Sequence, residues 1–156
     1  MPTLSRTLLL SLTLLVPVAM AGAPRPGPVE RYARDVPNRD YSMDCTGDPD
    51  PQCGRFTTTE SIDIRRISPT TAQVEIWTRG DNDHSCHAKG VASSVGGDLV
   101  LPQKPEDPPG CRVIISFAGT SASVRLASTD GRCDWDCGSR ATMTLDRIPL
   151  VSPSPP

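Results

Sequence analysis

The chain has 156 residues, with 16 Lys+Arg against 18 Asp+Glu for a formal net charge of −2. That length holds one small domain rather than two, and the charge balance excludes a strongly basic nucleic-acid binder. With 17 prolines, 12 glycines and only 4% aromatic residues, the core has few bulky anchors and needs some other device to hold it.

Residues 1–21, MPTLSRTLLLSLTLLVPVAMA, carry Arg6 ahead of an apolar stretch from Leu8 to Val16 that only Ser11 and Thr13 interrupt. Pro17 ends the stretch, and Ala19-Met20-Ala21 is a small-x-small cleavage site. This order reads as a secretory signal peptide cleaved after Ala21. Its apolar run is far short of the ~20 residues of a membrane span, which makes an N-terminal anchor helix the weaker reading. Cleavage removes one Arg, so 15 basic residues face 18 acidic ones and the charge becomes −3. The first cysteine is Cys45, so no N-terminal cysteine is offered for lipid attachment. The expected mature protein is soluble, periplasmic or secreted, with no later membrane span.

Residues 22–59 hold Pro24, Pro26, Pro28, Pro37, Pro49 and Pro51 among mixed charges, with no sustained period. They are expected to be a Pro-rich lead-in, poorly ordered over 24–40, with a Cys45/Cys53 loop tied onto the domain. Residues 60–146 change to period-2 alternation. Ile62 and Ile64 alternate with Asp63 and Arg65; after a Ser68-Pro69-Thr70-Thr71 turn, Ala72, Val74 and Ile76 alternate with Gln73 and Glu75, with Trp77 on the polar side. Cys86, Ala88, Gly90 and Ala92 share a face, Gly96-Gly97-Asp98 turns the chain, and Leu99-Val100-Leu101 returns. Cys111, Val113, Ile115 and Phe117 follow, then Ala122, Val124 and Leu126 after Gly119, and finally Ala141, Met143 and Leu145. About seven short strands and no capped helix predict an all-β, antiparallel meander closing into a barrel or sandwich. Many inward residues are small, which suits tight curling and leaves room for an internal cavity without requiring one. Residues 147–156, with Pro149, Pro153, Pro155 and Pro156, are expected to be a loose tail.

Six cysteines behind a signal peptide read as three disulfides, for which 15 pairings exist. Position favours Cys45 with Cys53 across a short loop. It also favours Cys111 with Cys133, because the hairpin partner of the Cys111 strand ends near Ser128. Cys86 and Cys137 then remain for each other. A zinc site at His84, Cys86, His87 and Cys133-x3-Cys137 is the weaker alternative, since the paired C-x2-C spacing is missing. Asp81-Asn82-Asp83 and Asp48-x-Asp50 lack the rest of a calcium loop and read as solvated turns.

Catalysis needs a nucleophile or metal with a tuned acid or base. Only His84 and His87 are near-neutral bases, and no nucleophile elbow, phosphate loop, metalloprotease or dinucleotide fingerprint is present. No cofactor or metal is expected. Asp134 and Asp136 flank Trp135 as a conceivable carboxylate pair, but a solvated loop with Trp135 covering the core end accounts for them better. The informative stretch is Cys133-Asp134-Trp135-Asp136-Cys137-Gly138-Ser139-Arg140-Ala141. Two cysteines reaching different strands would hold this loop stiffly, and Trp135 and Arg140 are of interface hot-spot type. A plain cross-linked strand connection is the competing account.

The order Cys86…Gly90, the Gly96-Gly97 turn, the Cys111-Arg112-Val113 strand and Cys133-x3-Cys137-Gly138-x-Arg140-Ala141 resembles small exported bacterial proteins of the lysozyme-inhibitor type. The resemblance spans residues 84–145. It implies a compact, disulfide-linked antiparallel barrel that binds a peptidoglycan-cutting muramidase and places Ser139 and Arg140 in the acidic cleft, where an Arg fork pairs well with carboxylate. No Tyr follows the Arg, and the Cys45–Cys53 segment is extra to the pattern. The expected function is therefore an exported, non-catalytic binding protein, with Trp135, Ser139 and Arg140 as binding residues and a lysozyme-like enzyme or envelope component as partner. The alternatives are a structural or envelope-interaction protein, and a small hydrolase or metal-dependent enzyme using His84, His87 and nearby acids.

Overall fold

The computed structural model describes residues 27–80, 84–102, 110–128, 133, 137 and 141–154. Alternation of side chains across the pleat produces eight strands: β1 (Val29–Arg39), β2 (Arg55–Ser68), β3 (Thr71–Arg79), β4 (Ser85–Val95), β5 (Asp98–Pro102), β6 (Arg112–Ala118), β7 (Ser121–Ala127) and β8 (Leu145–Ser154). Each pairs antiparallel with the next, and β8 pairs with β1, so the meander closes into a barrel. Closure removes the two free edges that an open eight-stranded sheet would expose.

Eight strands leave an interior just wide enough for side chains to fill. Here Ile62, Ile64, Val74, Ile76, Leu99, Val113, Ile115 and Val124 fill it, all fully buried or nearly so. The small residues Ala72, Ala88, Ala92 and Ala122 let the opposing walls approach. Gly90 marks a close approach inside the barrel: a Cβ there would lie 2.9 Å from Leu101 Cδ1. Outward positions across β2–β4 include Asp63, Arg65, Gln73, Glu75, Trp77, His87 and Lys89, with the apolar Val91 among them. No helix among the described residues is long and apolar enough to cross a membrane.

An ion pair joins β1 to β2 towards each end of the barrel. At one, Arg34 donates to Glu60 at 2.8 Å and also reaches the Asp146 carbonyl on β8 at 3.1 Å. At the other, Arg66 lies 3.9 Å from Glu30, beside the ring of Phe117, which itself packs 6.0 Å from Tyr32.

Two expectations are corrected. The lead-in over 22–59 supplies β1 and the start of β2, and the tail over 147–156 supplies most of β8, so the β domain extends well beyond 60–146. Charge hid β1: its inward positions include Glu30 and Arg34, each neutralised by a partner on β2 rather than by an apolar side chain. Irregularity hid β8. Its register with β7 shifts between Ala122 and Val124, and Arg147 has a positive φ of 48°, so Leu145 and Ile148 face inward three residues apart instead of two. The prolines are tolerated by position. β1 pairs with β8 only from Val29 to Tyr32, so Pro37 sits where β1 has a single neighbour. Of the expected final strand, only Leu145 belongs to β8. Met143 is buried just before it, and the Thr142 carbonyl accepts a hydrogen bond from the Thr78 hydroxyl at 2.7 Å. The segment thereby folds over the mouth of the barrel.

Candidate functional site

The two ends of the barrel differ. One carries the two-residue hairpins at 69–70, 96–97 and 119–120. Gly96 and Gly97 both take positive φ, as a tight hairpin turn of the twisted kind requires. The other end carries the connections 40–54, 80–84, 103–111 and 128–144. All three disulfides lie there: Cys45–Cys53, Cys86–Cys137 and Cys111–Cys133. They pair as strand position suggested, because Cys86 and Cys111 stand beside the starts of β4 and β6, and both of these strands leave the same end. Cys137 also forms an isolated antiparallel bridge with Cys86. Cys133 and Cys137 are thus anchored to separate strands. The sequence-derived binding residues Trp135, Ser139 and Arg140, with Asp134 and Asp136, lie outside the described residues, as do Asp81, Asn82 and Asp83.

Bridges of this number in a folded domain imply an oxidising environment. No described cysteine is free, so none is available as a thiolate.

His84 is half-buried, and its backbone carbonyl accepts a hydrogen bond from the Gly80 N–H at 2.8 Å. His87 is on the outer wall, stacked on Trp77 with centroids 4.0 Å apart, and its Nε2 lies 3.2 Å from Glu75 Oε1. Lys89 donates to the other oxygen of Glu75 at 2.9 Å. Hydrogen bonding from Lys89, with that from His87, holds the Glu75 carboxyl below its ordinary range. This is the orienting half of an acid–base pair. No hydroxyl or thiol among the described residues bonds to His87, so the nucleophile half is not assembled there. Among the described residues, no three His, Cys, Asp or Glu side chains converge as a metal site.

The same wall carries one transverse row of four charges, Arg31, Asp63, Glu75 and Lys89, on β1 to β4. Asp63 faces Glu75 directly across the strands, and burial, opposed by Arg31 and aided by Glu75, pushes its carboxyl up.

Sequence reasoning passed over Tyr41 and Met43. Both are large, more than half exposed, and set in the 40–54 connection at the disulfide-bonded end. The available signal was two apolar residues standing alone among aspartates beside a cysteine pair.

Neither a protein-family model, nor a curated protein, nor a solved structure matches this chain.

Proposed function

We propose that this chain is an exported, non-catalytic binding protein that presents the disulfide-bonded end of its barrel to a macromolecular partner. The observation that carries the reading is the asymmetry of the barrel. Every bridge and every long connection gathers at one end, above an interior filled by its own side chains. Scaffold-borne loops are where recognition resides, and loops ordered before encounter lose little entropy on binding. The filled interior supports recognition at the surface rather than storage of a small ligand inside.

The first partner to test is a muramidase, from the resemblance over residues 84–145, with Ser139 and Arg140 entering its acidic cleft and Trp135 beside them. The compartment is the periplasm or the exterior, in keeping with the bridges. A closed, disulfide-linked barrel is the architecture that such inhibitors have, although one fold serves many functions.

The test is a cell-wall lysis assay with purified, fully oxidised protein. Inhibition should saturate near one equivalent, and Arg140→Ala should weaken it by about tenfold or more. Unchanged lysis at tenfold excess removes the inhibitor reading. Co-purification with an envelope component, without inhibition, would replace it with an envelope-interaction role.

A further inference from the structure

The chain has two tyrosines. Tyr32 is buried in the barrel, whereas Tyr41 is 56% exposed, with Met43 54% exposed two residues later. The two side chains line one shallow surface hollow, together with Arg39, Asp40, Asp44 and Thr46.

Both side chains sit on a braced platform. Cys45–Cys53 closes the 40–54 connection, and the Asp40 N–H donates to the Gly54 carbonyl at 2.7 Å. Four aspartates each accept the backbone N–H two residues on: Asp40 from Ser42, Asp44 from Thr46, Asp48 from Asp50, and Asp50 from Gln52, all at 2.8–2.9 Å. Gly54 has a φ of +69°, and a Cβ there would meet the Asp40 carbonyl oxygen at 2.8 Å, so the base of the loop closes only around glycine. Asn38 Nδ2 donates to the Gly80 carbonyl at 2.6 Å and ties this corner to the neighbouring connection. The Arg39 guanidinium lies 5.2 Å from the Tyr41 ring centroid and helps to set the ring.

The hollow that Tyr41 and Met43 line is also lined by two carboxylates, Asp40 and Asp44, and by one cation, Arg39. The fringe around the apolar pair is therefore acidic. Hydrogen bonds from Ser42 and Thr46 hold the carboxyls of Asp40 and Asp44 below their usual range, so they stay ionised in mild acid. An aromatic ring and an adaptable thioether inside a charged rim match the composition of a protein–protein anchor. The sign of the rim selects the partner, since an acidic surface would be repelled.

We infer that Tyr41 and Met43 are an apolar anchor by which the 40–54 connection docks onto a basic protein surface. The inference rests on the reading of this chain as a binding protein and adds the half of the contact surface that lies outside residues 133–141.

The test uses immobilised egg-white lysozyme as the basic probe and the oxidised full-length mature protein, with binding measured at low and at physiological salt. Tyr41→Ser with Met43→Ser should weaken binding by about tenfold, because the pair is buried only in the complex. Asp44→Asn with Asp48→Asn keeps the acceptor oxygens that hold the loop. It should slow association at low salt by several-fold and matter less at physiological salt. Val95→Ser, exposed at the opposite end, should change nothing. Unfolding curves superimposable on wild type show that the loop variants remain folded. Wild-type binding that survives Tyr41→Ser with Met43→Ser overturns the anchor and leaves the binding-protein reading standing. If wild type does not bind lysozyme, the muramidase reading fails. The anchor is then decided by photo-crosslinking from position 41 and, as control, position 95 in the exported-protein fraction of the producing cells. An adduct from position 41 only, with a basic protein and lost on Met43→Ser, sustains it. No such adduct, or an acidic partner, overturns it.

Discussion

Removing the Cys86–Cys137 bridge should cost more stability than removing any other. Cys86 is fully buried, and the bridge closes 51 residues of chain. On the chain-entropy account a loop of that size is worth about 4 kcal/mol. The Cys111–Cys133 bridge lies inside it and shortens the path: 25 residues from Cys86 to Cys111 and four from Cys133 to Cys137 leave a ring of roughly 29, worth about 3.6 kcal/mol. The eight-residue Cys45–Cys53 loop is worth about 2.5 kcal/mol. The assay is urea unfolding of the Cys86→Ala/Cys137→Ala and Cys45→Ala/Cys53→Ala double variants beside wild type. At an m-value of about 1.5 kcal/mol/M, the first should move the midpoint down by about 2.4 M and the second by about 1.7 M. If the first double variant unfolds at the wild-type midpoint, or above the second, the barrel holds itself by packing and pairing alone. Sulfur would then not be compensating for a thin core.

Three further outcomes follow from the wall and mouths of the barrel. Gly90→Ala should lower stability by about 1 kcal/mol in thermal unfolding, because the new Cβ meets Leu101 Cδ1 at 2.9 Å and only the end of that leucine can yield. Arg34→Ala should cost about 2 kcal/mol in denaturant unfolding, since it strands the Glu60 carboxylate, whose side chain is 7% exposed. Adding Glu60→Gln should recover part of that loss in a double-mutant cycle. Asp63→Asn should raise the melting temperature at pH 7. Burial, chiefly, raises the folded carboxyl above its ordinary value of 3.8, so the stability linked to its proton is complete below 3.8 and is lost as pH rises through the folded value. The advantage of the Asn variant should therefore disappear below about pH 3.8 in a pH series of melts, and a gap that persists there would refute the assignment.

Legibility in the sequence tracked how each residue is neutralised. Ile62, Ile64, Val74, Ile76, Val113, Ile115 and Val124 are buried by hydrophobicity alone, so their period of two is visible in one dimension, and the β hairpins from Ile62 to Leu126 with it. Gly96-Gly97 announced its turn because two successive positive φ values are open to little else. The cysteine pairing was accessible because strand direction places Cys86 and Cys111 at one end. Of the candidate site, the sequence pointed to the stretch from Cys133 to Ala141, of which Cys133, Cys137 and Ala141 lie among the described residues, whereas Tyr41 and Met43 carried no periodic signal.

What the sequence alone determined was the all-β meander, the disulfide chemistry of its cysteines, and which face of each central strand is apolar. What only the tertiary structure decided was which strands complete the closure. Glu30 and Arg34 read as solvated until β2 supplies Arg66 and Glu60, and β8 reads as a tail until β7 and β1 bracket it. An apolar side chain carries its preference for burial wherever it stands. A charged or proline-bearing strand acquires its place only when particular neighbours, far away in the chain, neutralise its charge and complete its ladder.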